Sequence, residues 1–373
     1  MASLLFLVTE DWYFISHRLS LAVAAKEAGY EVAVATRPGN SAQAIEAAGI
    51  RVVPFEIDRR GMNPLKELIA MLRLALLIHR EGPDLLHMVA LKPVLLGNLA
   101  ARLAGAKRRV SAVTGMGFLF TDGGRGGVLM PLVRRLLGRS LRGGLVIVQN
   151  PDDAALLVEM GVPEESLRLI RGSGVDLERF RVEPESTGTP LVMLPSRMLW
   201  DKGVGEFVEA ARHLKESGVE ARFVLVGAPD PANPAAVSKE RLEAWQAEGL
   251  VEWWGHQERM ETVLPQAHMV CLPSYREGLP KVLLEAMACG RAVITCNVPG
   301  CREVVVHEQN GYLVPPRDPA ALADAIGRLL DDASMRRCFG AVGRRHAERF
   351  FSTERVTRET FDVYQELLER KET

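Results

Sequence analysis

Short apolar runs recur through the first half of the chain, at 4–8, 32–35, 52–55, 85–88, 110–113 and 145–148. Between them, near 19–28, from residue 41 and near 65–79, apolar residues return at the three-to-four spacing of a helix. Runs that are apolar on both faces, separated by helices, predict a parallel α/β sheet. The series then restarts, with runs at 191–194, 222–226, 251–254, 269–272, 292–295 and 312–314 and helices at 204–214 and from 238. The intervening 181–190, Arg-Val-Glu-Pro-Glu-Ser-Thr-Gly-Thr-Pro, is polar and rich in breakers and reads as a linker. The pattern predicts two doubly wound, Rossmann-like domains, 1–180 and 181–351, facing a central cleft at the carboxyl ends of their strands, where such sheets bind ligands. A last helix, 352–373, carries Phe361, Tyr364, Leu367 and Leu368 on one stripe and is free to pack back on the N-terminal domain or on the other.

A length of 373 residues suits two medium domains, and 47% apolar with 25% charged residues is the composition of a globular protein. The net charge of -1 argues against nucleic acid as a partner. Charge is uneven, however. Between 101 and 150, Arg102, Lys107, Arg108, Arg109, Arg125, Arg134, Arg135, Arg139 and Arg142 face a single acid, Asp122. With Leu132, Val133, Leu136, Leu137 and Leu141 among them, the later arginines predict an amphipathic helix able to rest on an anionic membrane. Cys271, Cys289, Cys296, Cys301 and Cys338 form no Cys-x-x-Cys pair and read as reduced thiols of a cytoplasmic protein. The N-terminus lacks the basic start and longer apolar stretch of a signal peptide, and 65–78 is too short and too charged to span a bilayer. The expected location is the cytoplasm, peripherally on the inner face of the membrane.

The most informative chemistry is at Glu277 and Glu285, eight residues apart in Glu277-Gly-Leu-Pro-Lys-Val-Leu-Leu-Glu285. Pro280 suits the first position of a helix and Gly290 its stop, so the helix begins between the two acids. With 277–280 extended, the carboxylates lie roughly 10 Å or more apart, with helix-start amides between them. That spacing fits an anion flanked by two polyols, as in a nucleotide sugar, and is too wide for a glycosidase pair at about 5–9.5 Å. Earlier, Pro195-Ser-Arg197-Met-Leu-Trp-Asp-Lys202-Gly203 puts two cations on a strand-to-helix loop, suited to neutralising a diphosphate leaving group.

Arg197-x4-Lys202 followed by Glu277-Gly278-Leu279-Pro280-Lys281 and Glu285 resembles the donor site of the retaining glycosyltransferases of GT-B fold, family 4. The resemblance runs along nearly the whole chain. It is nearest to bacterial enzymes that extend lipid-linked saccharides for capsule, O-antigen or glycan synthesis, on the segments Thr9-Glu-Asp-Trp-Tyr-Phe-Ile-Ser-His-Arg-Leu19, His87-Met-Val-Ala-Leu-Lys-Pro93, Val113-Thr-Gly-Met-Gly117 and Gln149-Asn-Pro-Asp-Asp153. It implies transfer of a hexose or N-acetylhexosamine from a UDP-sugar to a lipid diphosphate-linked saccharide, with retention and with no cofactor. Arg197 and Lys202 would hold the pyrophosphate, Glu285 the ribose and Glu277 the transferred sugar. The amides of Gly278, Leu279 and Lys281 would approach sugar and phosphate, Gly255 and His256 would lie by the base, and 297–303 would close near the sugar.

The chain departs from the family where a histidine usually follows the strand at 110–114, since Thr114-Gly115-Met116-Gly117 stands there. His17, and His87 with Lys92, are the candidates to replace it. Glu10-Asp11-Trp12-Tyr13 replaces the usual glycine pair and suits a sugar acceptor, offering carboxylates to hydroxyls and a ring face to the sugar. No Asp-x-Asp pair is placed to hold a metal diphosphate, so the two cations and the helix terminus are expected to act without metal. Two alternatives share much of this reading. A UDP-N-acetylglucosamine 2-epimerase would convert its substrate without an acceptor, and a non-catalytic sensor would bind UDP without turnover. A nicotinamide dehydrogenase is disfavoured by the absence of Gly-x-Gly-x-x-Gly after either first strand.

Overall fold

The computed structural model describes residues 1–58, 63–116, 130–231 and 233–370, leaving Gly117, Asp122 and Arg125 outside the described residues. Two compact units emerge, one of 1–173 with 353–373, the other of 174–352.

The first unit is a seven-stranded parallel sheet built from β1 (Ser3–Glu10), β2 (Glu31–Arg37), β3 (Arg51–Pro54), β4 (Leu85–Val89), β5 (Arg109–Val113), β6 (Leu145–Val148) and β7 (Leu167–Leu169), in the order β3-β2-β1-β4-β5-β6-β7. The order reverses between β1 and β4, with Leu4 opposite both Val32 and Leu85. β7 is a three-residue strand too short for the apolar pattern to reveal. Both faces of the sheet are covered. Helices Asp11–His17, Leu19–Glu27 and Ala42–Ala47 lie on one face with the last helix, Thr353–Glu369. Helices Pro64–Glu81, Leu91–Ala104 and Met130–Leu141 cover the other.

The last helix buries Val356, Val363, Tyr364 and Leu367 in this first core. Tyr364 reaches His87 on β4, with its hydroxyl 2.6 Å from Nδ1, and Phe6 stacks on the same imidazole at 5.0 Å. His87 is therefore a core residue and is not available to replace the missing family histidine. Burial, then the nearby Arg18 charge, holds its pKa well below the usual histidine range. A histidine kept neutral in the folded state but not in the unfolded one contributes stability that is complete above about pH 6.5 and lost as pH falls below that value. Buried His268 and half-buried His346 act in the same direction, and for both of them burial is the largest cause of the lowered pKa. His87→Gln is expected to flatten the acid limb of a stability-against-pH curve by up to ~1.4 kcal/mol per pH unit, read by thermal denaturation between about pH 5 and 7. An unchanged slope would mean that His87 does not titrate on unfolding.

The second unit is a six-stranded parallel sheet built from β8 (Leu191–Pro195), β9 (Arg222–Val226), β10 (Glu252–Trp253), β11 (Met269–Leu272), β12 (Ala292–Cys296) and β13 (Gly311–Val314), in the order β10-β9-β8-β11-β12-β13. Here the order reverses between β8 and β11. The expected boundary at 180/181 moves to 173/174, and 181–190 is not a free linker. The Val175 amide donates to the Phe351 carbonyl, Phe180 is buried in the second core, and Glu185 takes a two-pronged contact from buried Arg336 at 2.9 Å. Arg291 adds a bond to the Glu183 carbonyl. Residues 181–190 stay largely exposed, as their composition suggests, but the Glu185 carboxylate and the Glu183 carbonyl tie the segment to the second unit.

Candidate functional site

Within the second unit, the loops after β8, β9, β10, β11 and β12 all leave from the carboxyl edge of one sheet. Those after β8 and β11 flank its point of reversal, where doubly wound sheets take ligands. The β8 loop turns through Trp200–Lys202 into helix Val204–Glu216 at Gly203, whose φ is +73°. A Cβ at Gly203 would lie 2.2 Å from the Pro273 carbonyl oxygen, so the missing side chain lets the β8 and β11 loops touch. The Tyr275 amide and the Ser274 hydroxyl then both donate to the Asp201 carbonyl.

This contact brings Lys202 to Glu277. Lys202 Nζ lies 2.5 Å from Glu277 Oε1, and both side chains are mostly shielded. A short, shielded ion pair fixes the direction of the ammonium and of the carboxylate together. Arg197 stands at the outer side of the same loop, half exposed and 3.1 Å from Asp230 on the loop after β9. Asp230 was not among the expected residues, and only the fold brings it to Arg197. Gly227, which follows β9 directly, has φ +140° and donates its amide to the Gly255 carbonyl at 2.7 Å. Gly255 thereby ties the β10 loop to the β9 loop, while His256 beside it is exposed.

The helix after β11 runs Lys281–Ala288. Pro280 is its N-cap, not its first residue as expected, because a ψ of 102° keeps it extended. Gly290 follows the C-cap in the left-handed conformation. Glu285 lies one turn inside, 3.2 Å from Lys281 Nζ and almost wholly buried. Burial pushes its carboxyl above the ordinary range, and the Lys281 charge opposes that push. Leu279 is buried in the second core, and Gly278 is partly exposed beside it.

The loop after β12 closes on the same backbone. The Glu277 amide donates to the Pro299 carbonyl, and Gly300, at φ +79°, packs so closely that a Cβ would lie 2.5 Å from the carbonyl oxygens of Glu277 and Gly278. Gly300→Ala is expected to cost about 2 kcal/mol or more, from left-handed strain together with the backbone clash. Denaturation should show the loss, and displacement of 277–278 should weaken nucleotide-sugar binding in the same variant. A variant as stable as wild type would contradict the packing described.

The candidate residues of the first unit fare differently. No loop follows β1, because helix Asp11–His17 starts at once. Asp11 is buried and accepts from the amides of Trp12, Gly39 and Ser41, so its carboxylate holds backbone and does not face an acceptor sugar. His17 ends that helix, stacked on Tyr13 at 4.2 Å, and Trp12 is exposed. Lys92 forms an ion pair with Glu67 at 2.6 Å and bonds the Asp58 carbonyl, joining two helices. Thr114 and Gly115 leave β5 partly exposed, with Gly115 at φ +140°. In Met130–Leu141, Leu137 and Leu141 face the core and Val133 packs against it, so of the expected apolar face only Leu132 and Leu136 are exposed. Four of the five cysteines are buried, and Cys338 is exposed. No helix among the described residues is long and apolar enough to cross a membrane.

Comparison with known proteins agrees with this architecture unit by unit. Residues 3–150 match the family described as "Glycosyl transferase 4-like", and 189–332 match "Glycosyl transferases group 1". The chain is 29% identical over 346 residues to the N,N'-diacetylbacillosaminyl-diphospho-undecaprenol alpha-1,3-N-acetylgalactosaminyltransferase of Campylobacter jejuni, covering 87% of this chain and 90% of that one. It is 25% identical to the UDP-Gal:alpha-D-GlcNAc-diphosphoundecaprenol alpha-1,3-galactosyltransferase of Escherichia coli, covering 73% of each. The structure of Anabaena HepE in complex with UDP-glucose superposes with a TM-score of 0.79 at 18% identity, over 98% of this chain and 100% of that one. The chain belongs to the GT-B glycosyltransferases, with a family-4-like first unit and a group 1 second unit.

Proposed function

We propose that the protein transfers a hexose or N-acetylhexosamine, with retention, from a UDP-sugar to a saccharide carried on a lipid diphosphate. The observation that carries this reading is the Lys202–Glu277 pair beside the start of helix Lys281–Ala288, at the reversal of the second sheet. Arg197, Lys202 and the positive end of that helix take the pyrophosphate and stabilise charge on it as the glycosidic bond breaks. Glu285 accepts from the ribose hydroxyls and Glu277 from those of the transferred sugar. Gly278, Leu279 and Lys281 lend backbone amides, and Gly255 and His256 lie at the base. Three protein-borne positive groups supply the neutralisation, so the proposal is for transfer without a divalent metal.

The lipid-linked acceptor is supported by the two relatives above, both named for undecaprenyl diphosphate saccharides. Trp12, Tyr13, His17, Thr114 and Gly115 are proposed for the acceptor sugar, at the carboxyl ends of β1 and β5. The protein works at the inner face of the cell membrane, where a cytoplasmic donor meets a lipid-borne acceptor. The test is incubation of the protein with a panel of UDP-sugars in EDTA, with and without a polyprenyl diphosphate disaccharide. Release of UDP and sugar-labelled lipid only when the acceptor is present is the expected result. A new sugar nucleotide formed without acceptor would identify an epimerase, and binding without turnover a sensor.

A further inference from the structure

Helix Pro64–Glu81 is apolar on two opposite sides. Leu74 and Ile78 face inward into the first core, which accounts for its place against the sheet. Leu65, Leu68, Ile69, Leu72 and Leu76 point outward, each 43–65% exposed. At about 100° per residue these five fall within one continuous stripe, centred opposite Leu74 and Ile78. A helix of the outer layer ordinarily carries polar residues there, so five large apolar side chains in a row call for a partner.

Charge identifies that partner. Lys66, Arg73 and Arg80, all exposed, recur every seven residues and so form a cationic row along one flank of the stripe. Arg73 and Arg80 also rim a groove of about 360 Å³ whose walls include Phe55, Leu76, Leu77 and Glu81, the last paired with Arg51 at 2.5 Å, so the same cations border apolar surface beyond the stripe. The neighbouring helices of the same layer repeat the combination. Leu103 is exposed on Leu91–Ala104, and Leu132 and Leu136 are exposed on Met130–Leu141 next to exposed Arg135 and Arg139. Apolar stripes edged by cations match an anionic bilayer, where leucines enter the acyl boundary and Lys or Arg meet the phosphates.

We infer that helix Pro64–Glu81 lies in the surface of an anionic membrane, with its leucine stripe buried among the lipids and Lys66, Arg73 and Arg80 on their phosphates. The choice of a membrane is in keeping with the lipid-linked acceptor proposed above, but its test needs neither donor nor acceptor. Each cation contributes about fivefold to partitioning, so three together contribute about a hundredfold at low salt.

The experiment is sedimentation of the full chain with vesicles rich in phosphatidylglycerol or made of phosphatidylcholine alone. Wild type is expected to pellet with the first, to be released by salt, and to stay largely in solution with the second. Leu68→Ser/Leu72→Ser/Leu76→Ser should reduce pelleting by about tenfold or more, and Lys66→Gln/Arg73→Gln/Arg80→Gln should remove its salt-sensitive part. These side chains are exposed, so both variants should melt as wild type does, and an unchanged thermal shift with UDP would confirm an intact second unit. Wild type left in solution with both vesicles, or a serine variant that pellets as well as wild type, would overturn the inference. So would wild type that self-associates through this face, loses that association in the serine variant and ignores vesicles, since the partner is then a second copy. Failure of the transferase reading would appear instead as absent turnover on a water-soluble acceptor, with sedimentation unaffected.

Discussion

Glu277→Ala is expected to lower transfer by about 10²–10³-fold while leaving the affinity for UDP within a few-fold of wild type. The carboxylate stands 2.5 Å from Lys202 and, in the proposed site, against the hydroxyls of the transferred sugar. Its loss removes a contact to the sugar and frees the ammonium from its fixed direction. The Lys202 charge does not become an orphan once a nucleotide binds, because the diphosphate replaces the lost carboxylate. Discrimination among UDP-sugars should therefore disappear in a binding series that leaves UDP itself nearly unchanged. If UDP binding collapses with the substitution, Glu277 supports the diphosphate subsite and the assignment to the sugar fails.

Glu285→Gln is expected to weaken UDP by about 10–100-fold, the range for one or two hydrogen bonds to a charged acceptor. The same substitution should stabilise the unliganded protein at neutral pH. Burial holds the Glu285 carboxyl above its ordinary pKa, so the folded state binds its proton more tightly than the unfolded state does. The stability linked to that proton is complete below the unfolded value, about 4.3, and is lost as pH rises through the raised folded value. UDP binding has the opposite sign: the ionised carboxylate is the acceptor, so affinity is complete above the raised pKa and falls as pH drops through it. The pH dependence of UDP affinity should flatten in Glu285→Gln, and the melting-temperature gain of Glu285→Gln over wild type should grow as pH rises, the histidine contributions being common to both proteins. A variant that binds UDP as wild type does would remove Glu285 from the ribose subsite.

Much of the fold was legible because parallel strands covered on both faces are continuous apolar runs, and helices between them announce themselves by period. The residues of the second unit were legible for a related reason. Arg197, Lys202, Glu277 and Glu285 stand at strand-to-helix junctions, and the junctions of a doubly wound sheet converge on one edge. Contacts between residues far apart in the chain were not legible. Asp230 meets Arg197 across 33 positions, Glu67 meets Lys92 across 25, and Tyr364 meets His87 across 277. Nothing local in the sequence separates the buried histidine from an available one, or the Asp11 carboxylate that holds amides from one that faces solvent. Period also leaves a helix with two apolar faces undecided, since 65–78 reads as a core helix whichever face turns inward. Pro280 was misplaced by one position because an N-cap and a first helical residue differ only in ψ.

The division of the donor between the two glutamates is tested most directly by a cycle of ligands and variants. UDP, 2'-deoxy-UDP and a pair of epimeric UDP-sugars would be titrated against wild type, Glu277→Ala and Glu285→Ala. The account predicts that removing the ribose hydroxyl weakens binding to wild type and to Glu277→Ala but not to Glu285→Ala, and that changing the sugar matters to wild type and to Glu285→Ala but not to Glu277→Ala. Ribose dependence that survives in Glu285→Ala, or epimer discrimination that survives in Glu277→Ala, would contradict it.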